Sequence, residues 1–180
     1  QTLRVKDVVQ GGTLGELRLV RGWFSYTIDR PGNPRLDLSM GGGSIWDVGC
    51  YPISFARFIA GGEPPVEVVG WQEIGPTGVD IAFQGMMQFG NGVRALFDCG
   101  FNAALRTPME FVGTDASLIL TRSFKPDAGA RVYLQKDGES EFLEMPDAPL
   151  YLVAGALRAV DRCLTIFIVG QEDFEAFFAI

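Results

Sequence analysis

The spacing of apolar residues changes character twice along this chain. Residues 2–9 (TLRVKDVV) look like the end of a helix running into the turn Gly11-Gly12. Residues 14–26 (LGELRLVRGWFSY) alternate loosely and carry aromatics, as a strand does after a glycine-marked turn. Residues 29–40, with Pro31, Gly32, Asn33 and Pro34, read as a loop. Gly41-Gly42-Gly43-Ser44 then opens a stretch dense in Ile, Trp, Val, Phe and Ala. It stops at Gly61-Gly62 and Pro64-Pro65. Glycine stops followed by proline are helix C-terminal signals, so 44–60 is predicted as a largely buried helix. Pro52 within it removes one ladder hydrogen bond and predicts a kink.

Beyond residue 65 the period becomes two. Residues 66–74, 80–89, 92–101, 107–113, 116–122, 131–136 and 141–145 read as strands. Asn91-Gly92, Thr114-Asp115 and Lys136-Asp137-Gly138 fall between consecutive runs, and 102–108 reads as a loop. Asn-Gly and Asp-Gly between apolar runs are strong hairpin signals, and hairpin-linked strands build a largely antiparallel sheet. Residues 151–168 are apolar with Arg158, Asp161 and Arg162 interleaved, which predicts a closing helix. The fold class is therefore α+β: an open, mostly antiparallel sheet with helices on one face. Several strands carry apolar residues on both parities, for example Ile81, Phe83 and Met87 beside Ala82 and Met86. A sheet apolar on both faces wants a second cover, supplied either by loops or by a partner subunit.

Composition narrows the possibilities. The chain has 180 residues, is 47% apolar and 21% charged, and carries a net charge of −7. These values suit one soluble globular domain over 1–180. Lys and Arg are scattered, so nothing favours nucleic acid, and no apolar run reaches the ~18 residues a membrane span needs. There is no His, and Cys50, Cys99 and Cys163 are widely spaced, so no metal site is expected. Unpaired thiols in apolar settings point to a reducing cytoplasm. Gln1 is not an initiator Met, and a chain that begins inside an element reads as cut from something larger, with 1–12 as the remnant of a link.

One segment combines features that chemistry could use: GGGSIWDVGCYP, residues 41–52. Glycines before a helix let backbone approach a ligand, with Gly42 and Gly43 offering N–H groups where partial positive charge gathers. Asp47 and Tyr51 are four apart and share a helix face. A carboxylate beside a phenol suits hydrogen-bonding of a polyol, the phenol giving or taking a proton. The same segment also reads as a glycine-rich helix start with Asp47 in a favourable first turn and Tyr51 in the core. Arg35 and Asp37 lie in a loop that could fold over such a site or simply be solvated. Arg106 is a possible anion contact, whereas Asp80 and Asp98 read as structural. The glycines are not a dinucleotide fingerprint, since no strand leads into G-x-G-x-x-G.

GGGSIWDVGCYPISFARFIAGGEPPVEV closely resembles the C-terminal domain signature of the Gfo/Idh/MocA oxidoreductases. TGVDIAFQGMMQFGNGVRALFDCGF and MEFVGTDASLILTRSFKP resemble that family's following hairpins, so the likeness covers residues 12–126. The resemblance implies a glyceraldehyde-3-phosphate dehydrogenase-like C-terminal sheet domain. It also implies an N-terminal Rossmann domain, absent from this chain, that binds most of the NADP or NAD. The family's D-x-G-x-H motif falls on Asp47, Gly49 and Tyr51, with Tyr in place of His, as in the dihydrodiol and xylose dehydrogenase branch. By that likeness Tyr51 exchanges the proton at a carbinol oxygen, and Asp47 binds a hydroxyl, with Arg35, Gly42 and Gly43 as further substrate contacts. The substrate would be a sugar, polyol or related alcohol, and the protein a homodimer through the open sheet face. The family's E-K-P lysine does not occur here, and the tail after residue 150 is only loosely alike. A different class stays open: a non-catalytic binding or assembly module that kept the sheet.

Overall fold

A computed structural model describes residues 2–124 and 129–144. The helix expected over 151–168 and Cys163 lie outside the described residues. Helix α1 (Thr2–Gln10) is followed by strand β1 (Leu17–Thr27). Two 3₁₀ turns, Pro34–Leu36 and Leu38–Met40, lead to a π-turn over Ile45–Gly49 and helix α2 (Cys50–Ile59). Strands β2 (Pro65–Ile74), β3 (Asp80–Phe89), β4 (Arg94–Gly100), β5 (Asn102–Arg106), β6 (Met109–Gly113), β7 (Ser117–Leu120), β8 (Val132–Lys136) and β9 (Glu139–Phe142) follow. The α+β architecture read from the sequence is the one observed.

Three details differ from the sequence reading. Strand β1 lies in the middle of the sheet, whose order is β2-β3-β4-β1-β6-β7-β8-β9. It runs parallel to β4 and antiparallel to β6, so it splits what reads as one meander. Second, 102–106 is a strand rather than a loop, paired antiparallel with the end of β1. Its side chains are nearly all exposed, so no apolar alternation betrays it. Third, the segment 44–60 is not one α-helix. Pro52 cannot donate to the carbonyl one turn back. A π-turn over Ile45–Gly49 precedes α2, in which Pro52 is the third residue.

Side-chain parity sets the core. In β3, Phe83, Met87 and Phe89 are buried while Gln84, Met86 and Gln88 are exposed. A one-residue slip would turn all three buried side chains to solvent at about 2 kcal/mol each, so the register is strongly specified. Helix α2 covers that face with Ile53, Phe55 and Ile59, and the rings of Phe55 and Phe111 meet at 5.3 Å. Val5 of α1 is buried against the same core. The hairpin at Asp137-Gly138 has φ of 53° and 83°, both left-handed, as a tight two-residue turn demands.

The opposite face has no helix among the described residues. Register places Val69, Met86, Leu96 and Arg21 side by side across four adjacent strands. Arg21 continues the row by pairing with Glu110 at 3.2 Å, and Ile119 and Tyr133 extend it. Met86 is 45% exposed and Trp71, on the same strand and face as Val69, is 64% exposed.

Candidate active site

A cleft of about 890 Å³ opens where the end of β1, the 3₁₀ loop and the π-turn meet the chain between β5 and β6. One wall carries Tyr26, Arg35 and Asp47, and the other Leu105, Thr107 and Pro108, with Phe24, Val48 and Tyr51 at its base and Thr121 and Arg122 at the rim. Four residues singled out in the sequence, Arg35, Asp47, Tyr51 and Arg106, are thus brought to one place from three separate segments.

Asp47 is the hub. Its Oδ2 accepts from the hydroxyl of Tyr26 at 2.8 Å and forms an ion pair with Arg35, whose Nε lies 2.8 Å away. Tyr26 was not singled out from the sequence. It lies 21 residues earlier in an aromatic strand, and only the approach of β1 to the π-turn pairs it with a carboxylate. Tyr51 is half-buried, its ring edge-on to Phe24 at 5.4 Å and tilted to Phe124 at 5.6 Å. Its phenol makes no hydrogen bond with any described residue. Burial pushes that phenol above its ordinary value of 10.0, and negative charge at Cys50 and Asp47 acts in the same direction, opposed by Arg35.

Gly42 and Gly43 lie beside the cleft but do not line it. Their N–H groups are not free, as the sequence reading had them. Gly42 donates to the carbonyl of Asp37 and Gly43 to that of Arg35, each at 2.9 Å. They shape the loop instead. Gly43 has φ of 130°, and a Cβ there would stand 2.3 Å from Oδ1 of Asp80. Asp80, only 2% exposed, accepts at Oδ2 from the Ser44 hydroxyl at 2.6 Å and from the Ile45 N–H at 2.8 Å. Ser44 itself makes no capping bond to the turn. Asp80, at the start of β3, therefore caps the π-turn from the sheet. Burial raises its carboxyl above 3.8, and the bonds from Ser44 and Ile45 only partly offset this. Cys99 lies 3.6 Å from the Ser44 oxygen, and burial pushes its thiol up to about 12. Gly49 backs onto that sulfur rather than opening a gap in the cleft, since a Cβ there would meet it at 2.8 Å.

Residues 2–119 match the model of the GFO/IDH/MocA C-terminal domain. The chain belongs to the Gfo/Idh/MocA family. The domain is 29% identical over 163 residues to dTDP-3,4-didehydro-2,6-dideoxy-alpha-D-glucose 3-reductase of Streptomyces violaceoruber, covering 88% of the chain and 48% of that relative. It is 28% identical over 146 residues to trans-1,2-dihydrobenzene-1,2-diol dehydrogenase of Bos taurus, covering 81% and 42%. Among solved structures it superposes with a TM-score of 0.76 on a 3-ketoreductase from Actinomadura kijaniata crystallised with NADP and TDP-benzene. That match is 26% identical and covers 89% of the domain and 49% of the reductase. The domain thus spans about half the length of the relatives it matches, all of them oxidoreductases.

The remaining charged candidates are engaged with other partners. Arg106 contributes to the lining, but its guanidinium is engaged with the Asp98 carboxylate and with the Ser25 hydroxyl, the latter at 2.9 Å. Both partners lie on the open face of the sheet, which answers the anion-contact reading of Arg106. Asp37 accepts from the backbone and hydroxyl of Ser39, at 2.8 and 2.6 Å, and organises its own loop. Among the described residues no group of three or more Cys, Asp or Glu could hold a metal ion, and no helix is long and apolar enough to cross a membrane.

Proposed function

We propose that this chain, 1–180, is the substrate-binding domain of an NAD(P)-dependent oxidoreductase acting on a sugar, polyol or related alcohol. The observation that carries the reading is the phenol of Tyr51, which bonds no described residue, in one cleft with the Asp47 carboxylate. Tyr51 exchanges the proton at the reacting oxygen, and Asp47 receives a neighbouring hydroxyl. The reductase and dehydrogenase relatives support both the reaction class and the substrate class. The buried Cys99, which is in no disulfide, supports a cytoplasmic setting.

The N–H groups of Gly42 and Gly43 are donated to loop carbonyls and are not left for a phosphate. This supports a reading in which the cofactor, a hydride carrier when bound, is held mainly by an N-terminal domain of the kind the family carries. In a fluorescence titration with NADPH and NADH, this chain is expected to show no binding at micromolar concentration while a full-length parent does. Micromolar binding by the chain alone would contradict the assignment.

The open sheet face is the proposed seat of a second copy of the chain. The row from Val69 to Leu96 is apolar and flat, and the Arg21–Glu110 pair beside it could set orientation. Light scattering is expected to report a dimer at micromolar concentration, and Leu96→Lys to shift it to monomer. A stable wild-type monomer would remove this assembly. A non-catalytic assembly module would use the same face, but it has no use for a phenol in a polar cleft.

A further inference from the structure

Tyr26 lies outside the motif that marks the family, yet it is bonded to the motif's carboxylate. A carboxylate oxygen offers about two acceptor sites. On Oδ2 of Asp47 one is taken by the Tyr26 hydroxyl, and the Arg35 guanidinium pairs with the same oxygen as an ion pair, its Nε at 2.8 Å. On Oδ1 no described residue donates. The two partners are held differently. Arg35 is half-exposed on a 3₁₀ turn. Tyr26 stands on the central strand, its ring edge-on to Phe101 at 5.4 Å and tilted to Phe24 at 6.3 Å. The rigid half of the clamp is therefore Tyr26.

We propose that Tyr26 is a specificity-determining positioning residue: with Arg35 it clamps Oδ2 of Asp47, so that Oδ1 alone is offered to the substrate, as one acceptor in one direction. This rests on the reading of the cleft given above. An unclamped carboxylate can turn and accept a hydroxyl on either oxygen. A clamped one accepts a hydroxyl only where the substrate carries it at one position relative to the reacting carbon. On the facing wall Leu105 and Pro108 supply no side-chain acceptor and Thr107 only a neutral hydroxyl, so Asp47 carries the only carboxylate in the described lining. The substrate class that fits is a ring alcohol or ketone with a second hydroxyl on the neighbouring carbon. Sites built to bond a hydroxyl reject the analogue lacking it by about 10⁴-fold when fully buried. This cleft is open to solvent, and the expected discrimination is on the order of tenfold. Tyr26 acts as a donor and not as a base. Burial, then the bond and charge of Asp47, push its phenol up to about 12.

Two measurements on this chain with ¹³Cζ-labelled tyrosine test the clamp by NMR. In the first, Asp47→Asn is expected to bring the Tyr26 titration down from about 12 towards the ordinary phenol value of 10.0. An unmoved titration would overturn the clamp. In the second, trans-cyclohexane-1,2-diol and cyclohexanol are titrated against the Tyr51 signal. The wild type is expected to prefer the diol by roughly tenfold, and Tyr26→Phe, which keeps the ring and its packing, to lose most of that preference. A wild type without preference, or a variant that retains it, would overturn the proposal. Neither measurement involves hydride or proton transfer, so failure of the clamp is seen separately from failure of Tyr51 as proton carrier.

Discussion

Tyr51→Phe in the full-length enzyme is expected to lower kcat by about 10²- to 10³-fold, within the range found for positioned acid–base groups. KM should move much less. The substitution removes one oxygen and leaves the ring, so the contacts with Phe24 and Phe124 at 5.4 and 5.6 Å are preserved and the domain should fold as before. The effect would therefore report chemistry rather than structure. Because burial holds the phenol above its ordinary value, Tyr51 is a neutral donor at physiological pH unless a cation from another domain stands beside it. Steady-state rates from pH 6 to 11 check both points: the wild-type rate should fall only at the alkaline end of that range, and the variant should lack that limb. A rate within about threefold of wild type would remove Tyr51 from the mechanism, since a lost proton carrier costs far more.

Asp80→Ala should be the most damaging single change to the site's framework. It strips the partner from the Ser44 hydroxyl and the Ile45 N–H, both buried or nearly so, and each orphaned group costs roughly 1–3 kcal/mol. Relief of the buried carboxylate offsets part of this, leaving a net loss of about 2–4 kcal/mol. Asp80→Asn keeps an acceptor for both donors and should cost much less. The pair of variants separates the bond from the charge. The folded-state pKa of Asp80 is raised, so its contribution to stability is full below the unfolded value near 3.8, where both states hold the proton. It is lost as pH rises towards the folded value, because the unfolded chain ionises first. Urea unfolding across pH 3 to 8 should show wild-type stability falling relative to Asp80→Asn as pH rises. The opposite slope would mean that Asp80 is not a destabilised buried carboxylate.

Much of the site was legible because its signal is local. Asp47 and Tyr51 lie four apart in a segment whose glycines, carboxylate and aromatic recur in the family's order, and both line the cleft. Tyr26 is another matter. Nothing in the aromatic run around Tyr26 sets it apart from a core strand, and its bond to Asp47 exists only because β1 passes beside the π-turn. Asp80 was read as structural, correctly as to burial. Its grip on Ser44 and Ile45, some 35 residues away, has no counterpart in any local pattern.

By itself the sequence determined what depends on near neighbours: the two-residue period of the strands, the hairpin turns at Asn91-Gly92 and Asp137-Gly138, the buried face of α2, and an α+β sheet with a second apolar face. These follow from which side of an element each residue occupies, and that is settled within a few positions. The tertiary structure alone decided which strands lie side by side. It set β1 between β4 and β6, recruited the almost fully exposed 102–106 as a strand, and turned the helix start into a π-turn held by Asp80. Backbone ladders look the same from every strand, so the choice among partners rests on how the whole sheet closes over its core. That choice also brought Tyr26 and Arg35 to one oxygen of Asp47, and with them whatever selectivity the cleft possesses.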